Sequence, residues 1–371
     1  MHSATCQSSP GSGRSQPVAW TRYTPVAILL LAAVLVAGCG APTATPPPTA
    51  APTPRPTAPP TPTPEPTLPY APGESPLTGL PLDPEAARYP PLALLIPSDA
   101  DSYGLSQASL VYEAVTEGNV PRYLAIFEQL DASQVGPIRS ARPYHIEWAC
   151  PYGALLVHWG GSPPVFPMLA RSDCLANLEA MTWEGGYFWR TTNEPVPWNN
   201  LFTSSELLYG YLENWEITRF LSYRGFPHKE DASPESRPVS ATIEVTFDYP
   251  VRYAYEAEQN EYLRFYQGRP QIDRLTGAQL RVKNLAILFA PQRPIPGDQQ
   301  GRIQIETTGQ GKALFCLDGR CTEGTWSRAG PEEEFRFLDT GGQELRFNRG
   351  NIWIEVLAVD QEVSYTVIPA R

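Results

Sequence analysis

Lysine is nearly absent from this chain. Of 28 basic residues only Lys229, Lys283 and Lys312 are lysines, and acids outnumber bases for a net charge of −11. Duplex nucleic acid is held through Lys/Arg contacts to phosphate, so this balance excludes it as a general partner. Histidine is scarce as well: four in 371 residues, none in a metal-ligand spacing of the H-E-x-x-H kind, so neither a metal nor a cofactor is expected. Nucleophile and phosphate motifs are incomplete. Gly104-Leu105-Ser106-Gln107-Ala108 lacks the second glycine of a nucleophile elbow, and Gly309-Gln310-Gly311-Lys312-Ala313 lacks the first glycine and the Ser/Thr of a P-loop. The longest apolar run, Val26 to Ala37, is too short to cross a bilayer as a mature helix.

That run has a use as an export signal. Arg14 and Arg22 form a positive n-region, Val26 to Ala37 the h-region, and Val36-Ala37-Gly38-Cys39 resembles a bacterial lipobox. Residues 1–38 are therefore expected to be removed, with Cys39 as the lipidated N-terminus and the membrane as partner; the alternative is an ordinary secretory signal in which Cys39 is incidental. Losing two arginines and no acid takes the charge from −11 to −13. Residues 39–74 are Pro/Thr/Ala-rich and cannot bury a core, so they read as an extended tether. At polyproline rise it reaches about 90 Å from the membrane.

Cys150, Cys174, Cys316 and Cys321 remain for the folded part, which allows three pairings. Cys316-Leu317-Asp318-Gly319-Arg320-Cys321 narrows them. Asp-Gly between apolar residues signals a two-residue hairpin, which sets the two cysteines opposite each other where strands approach closest. A 316–321 disulfide follows, leaving 150–174; free buried thiols are the alternative.

The folded part is expected to be α/β, with a mixed, layered sheet-and-helix N-terminal domain over 75–226, a linker over 227–239, and a smaller β-rich C-terminal domain over 240–371. Strands are expected at Leu92–Ile96, Leu110–Val115, Tyr123–Phe127 and Ala154–Trp159, a short helix within 163–182, and a helix over Leu201–Trp215 opened by Thr203 or Ser204. Beyond the linker, strand patterns recur at 241–247, 253–266, 285–289, 302–307, 312–326, 335–338, 344–347 and 351–356.

The stretch Gly136-Pro137-Ile138-Arg139-Ser140-Ala141-Arg142-Pro143 organises the rest: a turn, two arginines, then a helix opened by Pro143. With Pro76-Leu77-Thr78-Gly79-Leu80, Gly104 to Ala108, Val111-Tyr112-Glu113-Ala114 and Arg122 to Phe127, it resembles the YerB-like lipoprotein family. Gly311-Lys312-Ala313, Gly324-Thr325-Trp326 and Trp353-Ile354-Glu355-Val356 extend the resemblance over roughly residues 76–368. It implies two domains, a mixed α/β fold and a bacterial envelope lipoprotein, and no established activity. Where many members read His-Asn-Leu-Tyr-Thr, this chain has Asn199-Asn200-Leu201-Phe202-Thr203, which removes a histidine acid/base at Asn199 and leaves Asn200 as a polar candidate.

Arg122, Arg139 and Arg142, with Ser140 between the last two, are candidates for capturing an anion, since planar guanidinium groups suit carboxylate and phosphate. Glu113 and Glu117 are either their counter-ions or functional carboxylates. His145, and His158 at a strand end before Gly160-Gly161, complete the set; His158 also reads as a partly buried strand cap. Trp159, Trp183, Tyr187, Phe188, Trp189 and Trp198 can stack on sugars or simply pack. The functional expectation is an exported binding module for an anionic envelope component, such as a cell-wall glycan, or for an envelope protein. The alternative is a hydrolase or transferase on an envelope polymer using Glu113, His145 or His158. The arginines, Glu113 and His158 are expected to share one pocket, because helix starts beside strand ends are where α/β folds place ligands.

Overall fold

The computed structural model describes residues 68–369 except 195, 197, 220, 221 and 248. The expected export signal, Cys39 and the expected tether up to residue 67 lie outside the described residues.

The strands that carry the architecture are, in chain order, β1 (Leu92–Pro97), β2 (Leu110–Val115), β3 (Pro121–Phe127), β4 (Leu155–His158), β5 (Ala176–Glu179), β6 (Ser240–Thr246), β7 (Pro250–Glu256), β8 (Glu261–Tyr266), β9 (Asn284–Ala290), β10 (Gly309–Leu317), β11 (Arg320–Arg328), β12 (Arg336–Asp339), β13 (Ile352–Ala358) and β14 (Val363–Ile368). One ten-stranded sheet runs β12-β11-β10-β9-β13-β2-β3-β1-β4-β5. The two halves of the sequence meet inside it, where β13 runs parallel to both β2 and β9. Without β13, strand β2 would end the N-terminal half as an open apolar edge, which sheets avoid. A second sheet, β8-β7-β6-β14, packs Ile243, Val245, Tyr253 and Tyr262 into the same core as Val111, Tyr123 and Trp353. The opposite face of the large sheet is covered by Tyr144, Ile146 and Trp148 of α1 (Pro143–Ala149), with Tyr152, Phe335 and Phe337. Burial on both faces explains the unbroken apolar runs of β1 and β3.

The mixed architecture, sheet-rich in its C-terminal part, matches the expected fold class. The stretch 227–239 contributes its own pairing, His228–Lys229 against Phe347–Asn348. Asp318 and Gly319 both take positive φ (52° and 73°), as a two-residue hairpin of this hand requires. Cys316 is opposite Cys321 and bonded to it, and Cys150 is bonded to Cys174, so both expected disulfides are present. In the same hairpin Gly311 faces Trp326, and a Cβ at Gly311 would lie 2.5 Å from the Trp326 indole nitrogen. This crossing explains the Gly-Lys-Ala and Gly-Thr-Trp motifs.

Several boundaries differ from expectation. Leu201–Phe202 is a strand paired with Trp189–Arg190; the helix, Ser205–Asn214, starts later, because Ser204 Oγ accepts the Leu207 N–H at 3.2 Å. The stretch 163–182 holds β5 as well as two short helices, Val165–Leu169 and Ala180–Trp183. The strand expected at 344–347 is Phe347–Asn348, and the edge strand β14 had no expectation attached.

Candidate functional site

The arginines gather at the end of β1 and β4. Arg122, the second residue of β3, stands opposite Pro97, the last residue of β1. The chain then returns past the same strands: Arg139 N–H donates to Leu95 O at 2.8 Å, and Trp159 N–H donates to Arg139 O at 2.9 Å. Arg139 to Arg142 therefore bridges the carboxyl ends of two parallel strands. His158 ends β4 there, and α1 starts there.

The charges at this edge are unbalanced. Arg142 grips Glu117 with two guanidinium nitrogens and donates Nη1 to Ala141 O at 2.7 Å. Burial alone would raise the Glu117 carboxyl, but Arg142 holds it below its ordinary value by hydrogen bond and charge. Arg122 is 5% exposed, donates Nη1 to Ser140 O at 2.7 Å, and leaves Nε buried without a partner. Burial, then the charges of Arg142 and Arg139, push its guanidinium down to about 9. Arg139 is half-buried, its Nε also without a partner; burial lowers its pKa and the charge of Asp99 opposes that. Three guanidinium groups thus face two carboxylates here, Glu117 gripped by Arg142 and Asp99 acting on Arg139 through its charge.

His145 is fully buried. Its Nδ1 accepts the Arg142 backbone N–H at 3.0 Å, so the proton sits on Nε2, which has no partner. Burial, with the charges of Arg122 and Arg142, keeps this ring neutral. His158 is also fully buried, and its two ring nitrogens are taken by Gly160 O at 2.7 Å and Asn177 Oδ1 at 2.8 Å. Ser140 contributes its carbonyl to Arg122. The seven-residue α1 adds no anion site of its own, because the Arg142 side chain turns to Glu117 and Ala141.

Two expected members are elsewhere. Glu113 projects from the Val111–Val115 face of β2 toward the second sheet, where Arg264 meets it at 2.6 Å with both side chains fully buried. The shared pocket of Glu113 with Arg139 and His158 is therefore corrected: a strand alternates faces, and the second sheet supplies the counter-ion. Asn200 accepts from Arg190 Nη1 at 2.8 Å and donates to Thr191 O at 3.1 Å, bracing its own hairpin. Ser106, the residue of the incomplete nucleophile motif, donates its hydroxyl to buried Asp273 at 2.6 Å, a structural bond. Arg264, Asp273 and Glu355 had no local signal in the sequence, since their partners lie more than 100 residues away or in another strand.

The arrangement offers one buried and one half-buried guanidinium, each with a buried Nε–H unpartnered among the described residues, beside a neutral His145 and a fully engaged His158. Its sequence frame is shared with other proteins. Residues 77–222 match the family described as "Protein of unknown function (DUF3048) N-terminal domain", and residues 242–354 match the corresponding C-terminal domain. The chain belongs to the YerB-like family. YerB of Bacillus subtilis (strain 168), whose name describes a lipoprotein, is 29% identical over 301 residues, 76% of this chain and 86% of that protein. A crystal structure of the Bacillus subtilis YerB protein superposes with a TM-score of 0.70 at 27% identity, covering 79% of this chain and 99% of that one. Within the YerB-like frame, the Arg139–Arg142 motif sits at the strand ends just described.

Proposed function

We propose that this protein is a lipid-anchored binding module of the cell envelope, held through Cys39, whose arginine edge captures a carboxylate or phosphate of an envelope component. The observation that carries this reading is Arg122: a guanidinium 5% exposed, beside Arg139 and Arg142, with a buried Nε lacking any acceptor. Glu117, the nearest carboxylate acting on Arg122, is already gripped by Arg142; a buried cation with no carboxylate of its own is costly, and a bound anion lowers that cost. Binding is favoured over hydrolysis or transfer because both nitrogens of His158 are occupied and Glu113 is sealed in the core beside Arg264.

The test is thermal unfolding of the full chain with and without inorganic phosphate or glucuronate. An uncompensated cation kept for binding predicts that Arg122→Met melts no lower than wild type without ligand and loses the anion-induced rise in Tm. A large drop in the Tm of ligand-free Arg122→Met, or an undiminished response to both anions, overturns the proposal.

A further inference from the structure

Beside the arginine edge, a second feature remains unused. Ser98 to Asp101, which follow β1, face Tyr266 at the end of β8 and the residues after it up to Arg274 across a cleft of about 330 Å³. Glu194, Val196 and Asn199 line its third side. This volume is at the lower end of small-ligand sites.

Asn199 carries the argument. It is 1% exposed, and its Nδ2 donates to Asp99 Oδ1 at 3.4 Å. The Asp99 carboxylate can only accept, so it fixes the orientation of the amide. Asn199 Oδ1 is then left buried, in the wall of the cleft, with no donor. Across the cleft the Tyr266 hydroxyl is buried and likewise unpartnered. Buried polar atoms without partners are rare, and two lining one cleft point to a ligand that supplies hydrogen bonds.

The charges select its class. Arg274 lies 3.5 Å from Asp101 and 3.8 Å from Glu194 and is shared between them, and Arg139 acts on Asp99 from the neighbouring edge, so the carboxylates of the lining are largely compensated. Asp99 on one wall and exposed Arg269 on the other nearly cancel. Neither a bare cation nor a bare anion gains much in such a field. A ligand with hydroxyls does, because each hydroxyl donates to Asp99 or Asn199 Oδ1 and accepts from Arg269 or Tyr266.

We propose that the cleft between Ser98–Asp101 and Tyr266–Arg274 is a binding site for a neutral saccharide. It uses Asn199, Asp99, Tyr266 and Arg269 and none of Arg122, Arg142 or His145; Asp99 is the one member that also acts on the anion site, through its charge at Arg139.

Isothermal titration of the full chain with cellotriose and with chitotriose tests this. At least one trisaccharide is expected to bind. Asn199→Leu removes the orphan acceptor and Arg269→Ala a donor, and each should weaken binding about tenfold or more. Arg122→Met should bind sugar within about twofold of wild type, which separates failure of this site from failure of the anion site. Arg269 is exposed, so its variant keeps the test decisive if Asn199→Leu fails to fold. No heat with either sugar, or wild-type affinity in Arg269→Ala, overturns the proposal. So does calcium or spermidine occupying the cleft in place of sugar.

Discussion

Glu113 and Glu355 stand directly opposite each other on the neighbouring parallel strands β2 and β13, both fully buried. Arg264 pairs with Glu113, and the Tyr253 hydroxyl donates to Glu355. Glu113 Oε1 and Glu355 Oε2 have no other hydrogen-bond partner, and a proton held between the carboxyls satisfies both. Burial raises both groups, and the charge of Glu113 raises Glu355 further, so the pair as a unit retains a proton above the ordinary carboxylate range. The cluster joins both halves of the sequence at the centre of the molecule.

Replacing Arg264 by Met removes the cation of this cluster. At pH 8 the expected loss is about 3–5 kcal/mol, as when one partner of a buried pair is deleted. Near pH 5 the loss should shrink, because both carboxyls can then be protonated. Glu355→Gln keeps one carboxylate for one guanidinium and should cost less than Arg264→Met at every pH. Urea unfolding at the two pH values measures this, and an equal Arg264→Met loss at both would refute the shared-proton arrangement.

Glu334 gives a pH dependence with a defined window. Burial pushes its carboxyl up to about 7, although it accepts the backbone N–H groups of Arg224 at 2.5 Å and Gly225 at 2.8 Å. Its folded pKa lies above the unfolded value of about 4.5, so its contribution is complete below that value and is lost as pH rises through about 7. Glu334→Gln should remove this fall, which amounts to at most roughly 3 kcal/mol. The stability difference between wild type and variant, followed by urea melts from acid to neutral pH, should therefore slope against wild type as pH rises.

Asp273 ties the C-terminal half to the Gly104–Ala108 motif. It accepts from Gly104 N at 2.9 Å, Ser106 N at 2.8 Å and Ser106 Oγ at 2.6 Å, and is fully buried. Asp273→Ala leaves these donors without an acceptor and should lower stability by about 3 kcal/mol or more in denaturant titration. Asp273→Asn retains one acceptor and should lose less. A neutral Asp273→Ala would mean the motif is held by other contacts.

Anchoring at Cys39 has a direct readout in cells. Cys39→Ala should move the protein from the membrane fraction to the supernatant or leave it as the unprocessed precursor. Normal processing and membrane retention of that variant would refute lipid attachment at this residue.

The sequence by itself determined what rests on neighbours in the chain. The β1, β2 and β3 runs, the Asp318-Gly319 hairpin with its disulfide, and the Ser204 cap follow from periodicity, turn conformation and local hydrogen bonding, all within a few residues. The arginine motif was legible as a charged turn before a helix, and so was its proximity to the His158 strand end. Tertiary structure decided which face each charge meets. Glu113 was legible as a lone charge on an apolar strand face, but its partner Arg264 comes from a strand 151 residues away. Likewise β13 sits between β2 and β9 only because the C-terminal half inserts it against an edge that the N-terminal half leaves open. Strand order and the pairing of buried charges depend on contacts between distant segments, and no local pattern encodes which distant segment arrives.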